Sequence, residues 1–335
     1  MENAHAQQLA SLSDVRRRIY GNRLGEEAFS AIISDIAEHR YSDVHLSAFV
    51  TACSAVPLDR DEMIGLTRVM VDVGERLSWP GAVIVDKHSV GGLPGNRTTP
   101  IIFSIMAAEG LIMPKTSSMA ITSPAGTADT MEVLAPVDLD VPAIRRVVER
   151  EGGCIAWGGA VKLSPADDVI IGVERVLDID AVGQMVGSVL TQKIAAGATH
   201  LVIDILFGPT AKVRGADAAE TLSTALTSVA EAFGLRTRVM CGPGAEPIGR
   251  DIGPALEAQD ILIVLLGEPG AEDLANRACE LAGGLFELAG ATPTGGGFAC
   301  ALESLQSGRA WTKFQRICEA QGGMREPPVA KFNRI

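Results

Sequence analysis

The organisation of this 335-residue chain changes near residue 80, and that change limits the folds open to it. Before residue 80, apolar residues recur at helical spacing, as at Phe29, Ile32 and Ile36, and no strand pattern interrupts them. After residue 80, short β-branched runs alternate with longer helical stretches, which predicts an α/β class with a mainly parallel sheet. These runs are Val83–Val85, Leu201–Ile205 and Thr237–Met240.

A further helical stretch, about residues 180–196, lies between two of the predicted strands. It is apolar on one face and suited to packing with the opening helices, so we expect the small all-α lobe to be discontinuous. The prediction is an α lobe of residues 1–79 plus about 172–198, and a larger α/β lobe of residues 80–171 plus about 199–335.

Composition excludes several classes of function. A formal charge of −12 argues against a nucleic-acid-binding surface, which needs clustered Lys and Arg. The six cysteines show no CxxC pair, which favours free thiols over disulfides or a zinc site. No apolar run approaches the length of a membrane span and no signal-peptide core opens the chain. We therefore expect a soluble cytoplasmic protein without a membrane or nucleic-acid partner.

The segment after the first predicted strand carries the strongest chemical signal. A cation, an imidazole and a hydroxyl follow one another at Lys87, His88 and Ser89, and a glycine-rich stretch comes next. Glycine lets backbone N–H groups approach an oxyanion, and a predicted helix starting at Thr98 directs its N-terminus to the same place. The segment is predicted to be a phosphate cradle, although it matches neither GxxxxGK[ST] nor GxGxxG. His88 is either a group that transfers protons near neutral pH or a structural hydrogen-bonding residue.

Two other stretches contain polar side chains that a ligand can use. Residues 115–129 follow a predicted strand, Leu111–Met113, contain six hydroxyl residues, and form either a second anion-binding loop or a capped turn. In residues 164–193, Asp180 precedes a helix and can be an N-cap, and Arg175 can pair with Glu174 at the surface.

Four motifs in these stretches resemble a known family: KHSVGG, SSMAITSPAGTADTMEVL, PADDVIIGVERVL and KIAAGATHLVIDI. They are similar to the thymidine/pyrimidine-nucleoside phosphorylases, and most similar to the branch that contains AMP phosphorylases and type 2 thymidine phosphorylases. The likeness covers roughly residues 12–290. It implies a helical lobe beside an α/β lobe, a homodimer formed through the α lobe, and reversible phosphorolysis of a nucleoside or nucleoside 5′-monophosphate. Inorganic phosphate would be the co-substrate, with no cofactor and no metal.

The resemblance also implies roles for individual residues. The implied phosphate-binding residues are Lys87, Ser89, Thr98, Ser117 and Thr127. The implied nucleoside- or nucleotide-binding residues are Gly92, Ser118, Met119, Ala120, Ile121, Thr122, Ser123, Thr127, Ser188, Gln192 and Lys212. Asp180 matches a proton donor, and His88 and Arg175 match base-side residues of the thymidine enzymes.

The chain departs from the family pattern at three places. Met119 stands where the AMP branch usually has arginine, and Gln192 stands where both branches have lysine, with Lys193 retained beside it. The small N-terminal domain of the AMP branch and most of the family's C-terminal domain are not matched. Loss of the arginine favours a nucleoside, or an unusual substrate, over AMP.

Two alternatives remain at this point. One is a phosphoribosyltransferase of the same architecture, such as the anthranilate enzyme, which uses a diphosphate donor with Mg²⁺. The other is a non-catalytic protein that binds a nucleotide or an anion, in which Met119 and Gln192 reflect lost turnover.

Overall fold

A computed structural model describes residues 9–93, 97–120, 123–179 and 181–327 of the chain, and these residues divide into two compact units. The helical unit comprises the described residues up to Arg76 and those of 162–195. The α/β unit comprises residues 77–161 and the described residues from 196 onward. The second boundary thus lies at 161–162, whereas the sequence placed it near 171–172, because helix α9 (Pro165–Leu177) packs against helices of the helical unit.

Helices form the whole regular structure of the helical unit within the described residues. They are α1 (Leu12–Ile19), α2 (Glu26–Ala37), α3 (Asp43–Ala55), α4 (Arg60–Asp72), α9 and α10 (Val182–Ala195). The start of α4 is fixed by a capping box. Asp59 accepts hydrogen bonds from the backbone N–H groups of Asp61 and Glu62, each 3.0 Å long, and the Glu62 carboxylate accepts from the Asp59 N–H.

The core of the helical unit is apolar and combines aliphatic residues with a few phenylalanines. Phe29, Ile32 and Ile36 of α2 are fully buried on one face of the helix. A buried ion pair of 3.0 Å joins Arg18 of α1 to Glu62 of α4.

The α/β unit contains the remaining elements. In its first part these are β1 (Val85–Val90), α5 (Thr98–Ala108), β2 (Met113–Ser117), α6 (Thr127–Glu132), α7 (Val141–Glu151), β3 (Gly153–Trp157) and α8 (Gly158–Val161). In its second part they are β4 (His200–Phe207), α11 (Ala216–Ala232), β5 (Arg236–Pro243), α12 (Pro254–Leu266), α13 (Glu272–Leu288), α14 (Gly297–Gln306) and α15 (Arg309–Ala320). Among the described residues, no helix is long and apolar enough to cross a bilayer.

All strand pairings of the α/β unit within the described residues are parallel. One sheet has the order β1-β4-β5 and the other pairs β2 with β3. An isolated parallel bridge between Ile84 and Ile112 connects the residues just before β1 and β2. The carboxyl ends of β1 and β2 therefore lie side by side, at the edge where parallel α/β sheets bind ligands. The predicted α/β class, with a helical lobe and parallel strands, is confirmed.

Two strand predictions ended too early. The sequence predicted a strand at Val83–Val85 followed by a loop, but β1 begins at Val85 and continues through the polar residues to Val90. Likewise, the strand predicted at Leu111–Met113 is β2, which starts at Met113 and runs to Ser117. Both strands extend into polar sequence because the buried charges there have partners, which are described below.

The sequence also missed β3, which contains a single β-branched residue, Ile155. A side chain from far along the chain holds this strand in place. Gln321, which is buried, accepts from the Ile155 N–H and donates to the Ile155 carbonyl, both at 3.0 Å, and donates to the Pro136 carbonyl at 2.7 Å. No local sequence pattern predicts these hydrogen bonds between Gln321 and a strand more than 160 residues away.

Candidate active site

The centre of the site lies on β1. The Lys87 side chain is fully buried, donates from Nζ to Oγ1 of Thr98 across 2.7 Å, and lies 3.9 Å from Oδ2 of Asp204. Ser89, two residues later on the same face of the strand, donates to the same carboxylate oxygen across 3.0 Å. Parallel pairing puts Ser89 directly opposite Asp204 of β4. Lys87 and Ser89 thus lie at one buried carboxylate, and Thr98 joins them through its hydrogen bond with Lys87.

Two further cations support this cluster. Arg277 of α13 donates from Nη2 to Oδ1 of Asp204 across 2.6 Å. Lys115 of β2 donates from Nζ to Oδ1 of Asp86 across 3.0 Å and to the Lys87 carbonyl across 2.8 Å. Since Arg277 already balances the charge of Asp204, the ammonium of Lys87 can also attract an anionic ligand.

Arg97 connects the start of α5 to residues 248–260 by hydrogen bonds and an ion pair. Its fully buried guanidinium donates to Oδ2 of Asp260 and to the carbonyls of Ile248, at 3.2 Å, and Asp251. Arg97 is the N-cap residue of α5 and directly precedes Thr98. The position of the Thr98 hydroxyl therefore depends on a buried ion pair 163 residues apart in sequence.

The second predicted loop folds back on itself around one carboxylate. Oδ2 of Asp129 accepts from the N–H groups of Ala120, at 2.7 Å, and Gly126, at 2.8 Å. A Cβ at Gly126 would come within 2.9 Å of the Ser118 carbonyl oxygen, so only glycine allows this approach. Met119 lies between these contacts, half-buried.

Other predicted residues of this loop have local positions. Ser117 ends β2 and donates to the Ser118 carbonyl at 3.2 Å, and Ser123 donates to the Ala125 carbonyl at 2.7 Å. Thr127 is the first residue of α6. Ile121 and Thr122 lie outside the described residues.

Backbone contacts bring Lys212 to the end of β1. Its N–H donates to the Gly91 carbonyl across 2.9 Å, next to Gly92, which has a φ of 63°.

His88 belongs to β1, where it pairs in register with Ile203. Strand alternation places His88 on the face opposite to Lys87 and Ser89.

In the helical unit, two other predicted residues converge on an acid. Asp167, in the first turn of α9, is 1% exposed and accepts at Oδ2 from the hydroxyl of Ser188, at 2.9 Å, and from Nε2 of Gln192, at 3.4 Å. Burial raises the pKa of Asp167 to about 7, and the nearby carboxylates of Asp168 and Glu174 add to that rise. The two hydrogen bonds oppose it.

The structure does not bring Arg175 to this cluster. Arg175 lies exposed near the C-terminal end of α9, whereas Asp167 occupies the first turn of the same helix. Asp180, the predicted proton donor, lies outside the described residues.

Sequence reasoning did not select Asp204, Arg97 or Asp167 as site residues. Asp204 is an acid within an otherwise apolar strand, HLVIDILF, and a buried charge in such a strand needs a partner. That signal was available in the sequence. Arg97 carries no such signal, because its partner Asp260 is far away in the sequence. Asp167 carries none either, because its partners are neutral side chains.

Comparison with known proteins defines the class to which this fold and site belong. The chain belongs to a glycosyl transferase family: the model of its a/b domain matches residues 81–311, and the model of its helical bundle domain matches residues 15–74. The recognition made from the sequence motifs is confirmed.

Similar proteins carry a more specific name. A protein of Sphingopyxis alaskensis named "Putative thymidine phosphorylase" is 66% identical over 331 residues, which are 99% of this chain and 64% of that protein. A protein of Chelativorans sp. with the same name is 60% identical over 328 residues, 98% of this chain and 64% of that protein. The chain therefore spans less than two thirds of the length of these relatives.

Two solved structures share the fold. Anthranilate phosphoribosyltransferase from Thermus thermophilus superposes with a TM-score of 0.78 at 22% identity, covering 92% of this chain and 99% of that one. The Saccharomyces cerevisiae enzyme of the same name gives 0.74 at 14% identity, covering 95% and 99%. At these identities the likeness concerns the fold alone.

Proposed function

We propose that the chain is a pentosyltransferase that carries out phosphorolysis of a nucleoside of the thymidine type. In this reaction a phosphate oxygen attacks the anomeric carbon, the C–N bond to the base breaks, and its electron pair leaves with the base. The products are a free base and a sugar 1-phosphate. The observation that carries the proposal is the convergence of Lys87, Ser89 and Thr98 at the carboxyl end of β1. The names of the relatives at 60% and 66% identity support it.

The α/β unit would hold the nucleophile. Phosphate is a weak nucleophile, so fixing it beside the anomeric carbon supplies most of the help it needs. Lys87 would provide charge, while Ser89 and Thr98 would provide short hydroxyl contacts beside the N-terminus of α5. Ser117 and Thr127 are proposed to complete the phosphate site.

The helical unit would hold residues that recognise the nucleoside, namely Ser188 and Gln192. Gln192 and Met119 are both uncharged where related proteins are expected to carry a cation. An uncharged nucleoside therefore suits this chain better than a 5′-monophosphate, which needs cations for its two negative charges. Protonation of the departing base is assigned to Asp180, which stays a prediction from the resemblance. The homodimer is likewise a prediction, to be tested by sedimentation.

A screen of phosphate-dependent base release tests the proposal. Thymidine, uridine, cytidine, adenosine, inosine and their 5′-monophosphates would each be incubated with and without inorganic phosphate. We expect base release only with phosphate, and faster for a nucleoside than for its monophosphate. A parallel arm offers phosphoribosyl diphosphate, Mg²⁺ and anthranilate. Turnover in that arm alone would assign the chain to the phosphoribosyltransferases, and no turnover in any arm would overturn the enzymatic proposal.

A further inference from the structure

We propose that Trp157 binds the pentose of the substrate by packing its indole ring against the sugar beside the phosphate site. Trp157 is the last residue of β3, and its side chain is partly exposed, at 36%. The inference rests on the proposed function, because it takes Lys87 and Ser117 to hold the phosphate.

Strand register places Trp157 next to these residues. Parallel pairing of β2 with β3 puts Trp157 directly opposite Ser117, so the two side chains start on the same face of the sheet, about 5 Å apart. The parallel bridge between Ile84 and Ile112 sets the register of β1 against β2. Counted from this bridge, strand alternation places Lys87 on the same face as Ser117. Trp157 therefore shares a face with the proposed phosphate-binding residues.

Helix α5 covers this face of the sheet. Gly153 lies four residues before Trp157 in β3 and so on the same face, and a Cβ there would be 3.3 Å from Cδ2 of Phe103 in α5. At the other end of its course, the first residue of α5 is Thr98, which contacts Lys87. One helix thus packs on the face that carries both Lys87 and the indole ring.

The indole ring is held in place by its neighbours. The backbone N–H of Trp157 donates to the Val137 carbonyl across 2.8 Å, which fixes the end of β3. A Cβ at Gly159 would lie 2.7 Å from both Cε2 and Cζ2 of the ring, so the ring fills the space that another side chain would need. The φ of Gly159 is not positive, so the ring and not the backbone requires glycine there. A ring fixed in this way loses little conformational entropy when it binds a ligand.

The surroundings of the phosphate site favour the sugar as the group that contacts Trp157. The sugar of a pentose 1-phosphate is bonded directly to the phosphate, so it must lie beside the phosphate-binding residues. On the β4 side of Lys87, the ion pair of Asp204 with Arg277, 2.6 Å long, already occupies the space. On the β2 side, the indole offers an apolar surface, which suits the C–H groups of a pentose and leaves its hydroxyl groups free.

Calorimetric titrations test the inference. Wild type and variants are titrated with inorganic phosphate, ribose 1-phosphate and 2-deoxyribose 1-phosphate, and the comparison uses the pentose 1-phosphate that the wild type binds more tightly. Trp157→Ala should weaken binding of that compound about tenfold or more, because the contact with the ring is lost. Its affinity for inorganic phosphate should equal that of the wild type, which also shows that the variant is folded. Trp157→Phe keeps an aromatic ring and should lose less.

Two neighbouring glycines provide a matched pair of variants. Gly159→Ala leaves Trp157 in the chain but displaces its ring, so it should weaken binding of the pentose 1-phosphate and not of phosphate. Gly158→Ala is the control, because a Cβ there would be 3.7 Å from the Ser117 carbonyl oxygen, an ordinary contact. It should bind both compounds as the wild type does.

The outcomes separate this inference from the proposed function. Wild-type affinity for the pentose 1-phosphate in both Trp157→Ala and Gly159→Ala would overturn the inference and leave the proposed function standing. Equal loss of affinity for phosphate and for the pentose 1-phosphate would also overturn it, since Trp157 would then only support the phosphate site. A wild type that binds neither compound would overturn the proposed function, and the inference with it.

Discussion

The ammonium nitrogen of Lys87 lies 2.7 Å from the hydroxyl oxygen of Thr98, which occupies the first position of α5. This contact joins β1 to the following helix across eleven residues, and both side chains are buried. It holds a positive charge beside a helix N-terminus, where the helix dipole also attracts anions. Charge and helix dipole therefore act at the same place.

Replacement of Lys87 tests whether this place binds phosphate. We expect Lys87→Met to weaken phosphate binding at least about tenfold and to lower kcat/KM about a hundredfold or more, because a fixed cation is removed from the developing charge. Isothermal calorimetry with inorganic phosphate and steady-state kinetics measure the two effects. Lys162→Met, at an exposed position in the helical unit, is the control and should behave as the wild type. Unchanged phosphate affinity in Lys87→Met would remove Lys87 from the site.

The contact also shows what the sequence could and could not predict. The glycines and polar residues after Val85 pointed to an anion site, and Lys87, Ser89 and Thr98 do lie together. The extent of the strand was predicted wrongly, because periodicity treats Asp86 and Lys87 as loop residues. They can remain in a buried strand only because Lys115 and Asp204 compensate their charges, and those partners lie on other strands.

Long-range pairs account for most of what sequence reasoning missed. The ion-pair partner of Arg97, Asp260, is 163 residues away in the sequence. Asp167 and Asp168 are adjacent in the motif PADDVIIGVERVL, but nothing in their spacing shows that Ser188 and Gln192 form their hydrogen bonds with Asp167. Helix caps such as Asp59 have local partners, so a sequence pattern can indicate them.

Arg97 gives a prediction about stability and activity together. We expect Arg97→Met to lower the free energy of unfolding by about 3–5 kcal/mol, because it leaves the Asp260 carboxylate buried without its cation. The start of α5 should also move, so kcat/KM should fall although Arg97 is not assigned a contact with substrate. Urea unfolding and steady-state kinetics provide the measurements.

A double variant separates the two effects of Arg97. Arg97→Met combined with Asp260→Leu replaces both charges by apolar groups, which is often close to neutral for stability. We expect the double variant to regain most of the lost unfolding free energy but not the lost activity. Recovery of activity together with stability would show that Arg97 only supports the fold and does not position Thr98.

Asp167 should make stability depend on pH in a defined direction. Burial raises its pKa from 3.8 to about 7, so between these values the folded protein binds a proton that the unfolded chain has released. The contribution of Asp167 to stability is therefore complete below about pH 4 and is lost as the pH rises through about 7. Relative to Asp167→Asn, the unfolding free energy of the wild type should fall by up to about 4 kcal/mol across this window. Urea titrations at pH 4, 6 and 8 measure the difference, and a difference independent of pH would contradict the prediction.

Introducing a lysine at Gln192 should lower the pKa of Asp167. In Gln192→Lys an ammonium group would replace a neutral amide beside the buried carboxyl, and a nearby cation favours the ionised acid. We expect the pKa of Asp167 to fall below its wild-type value, so the pH-dependent loss of stability should begin and end at lower pH than in the wild type. The same urea titrations, repeated with Gln192→Lys and with Gln192→Met, check this. Gln192→Met also replaces the glutamine side chain but adds no charge. It should therefore not shift the pH range of the stability loss to lower pH. If stability is still lost near pH 7 in Gln192→Lys, the new ammonium group does not reach Asp167.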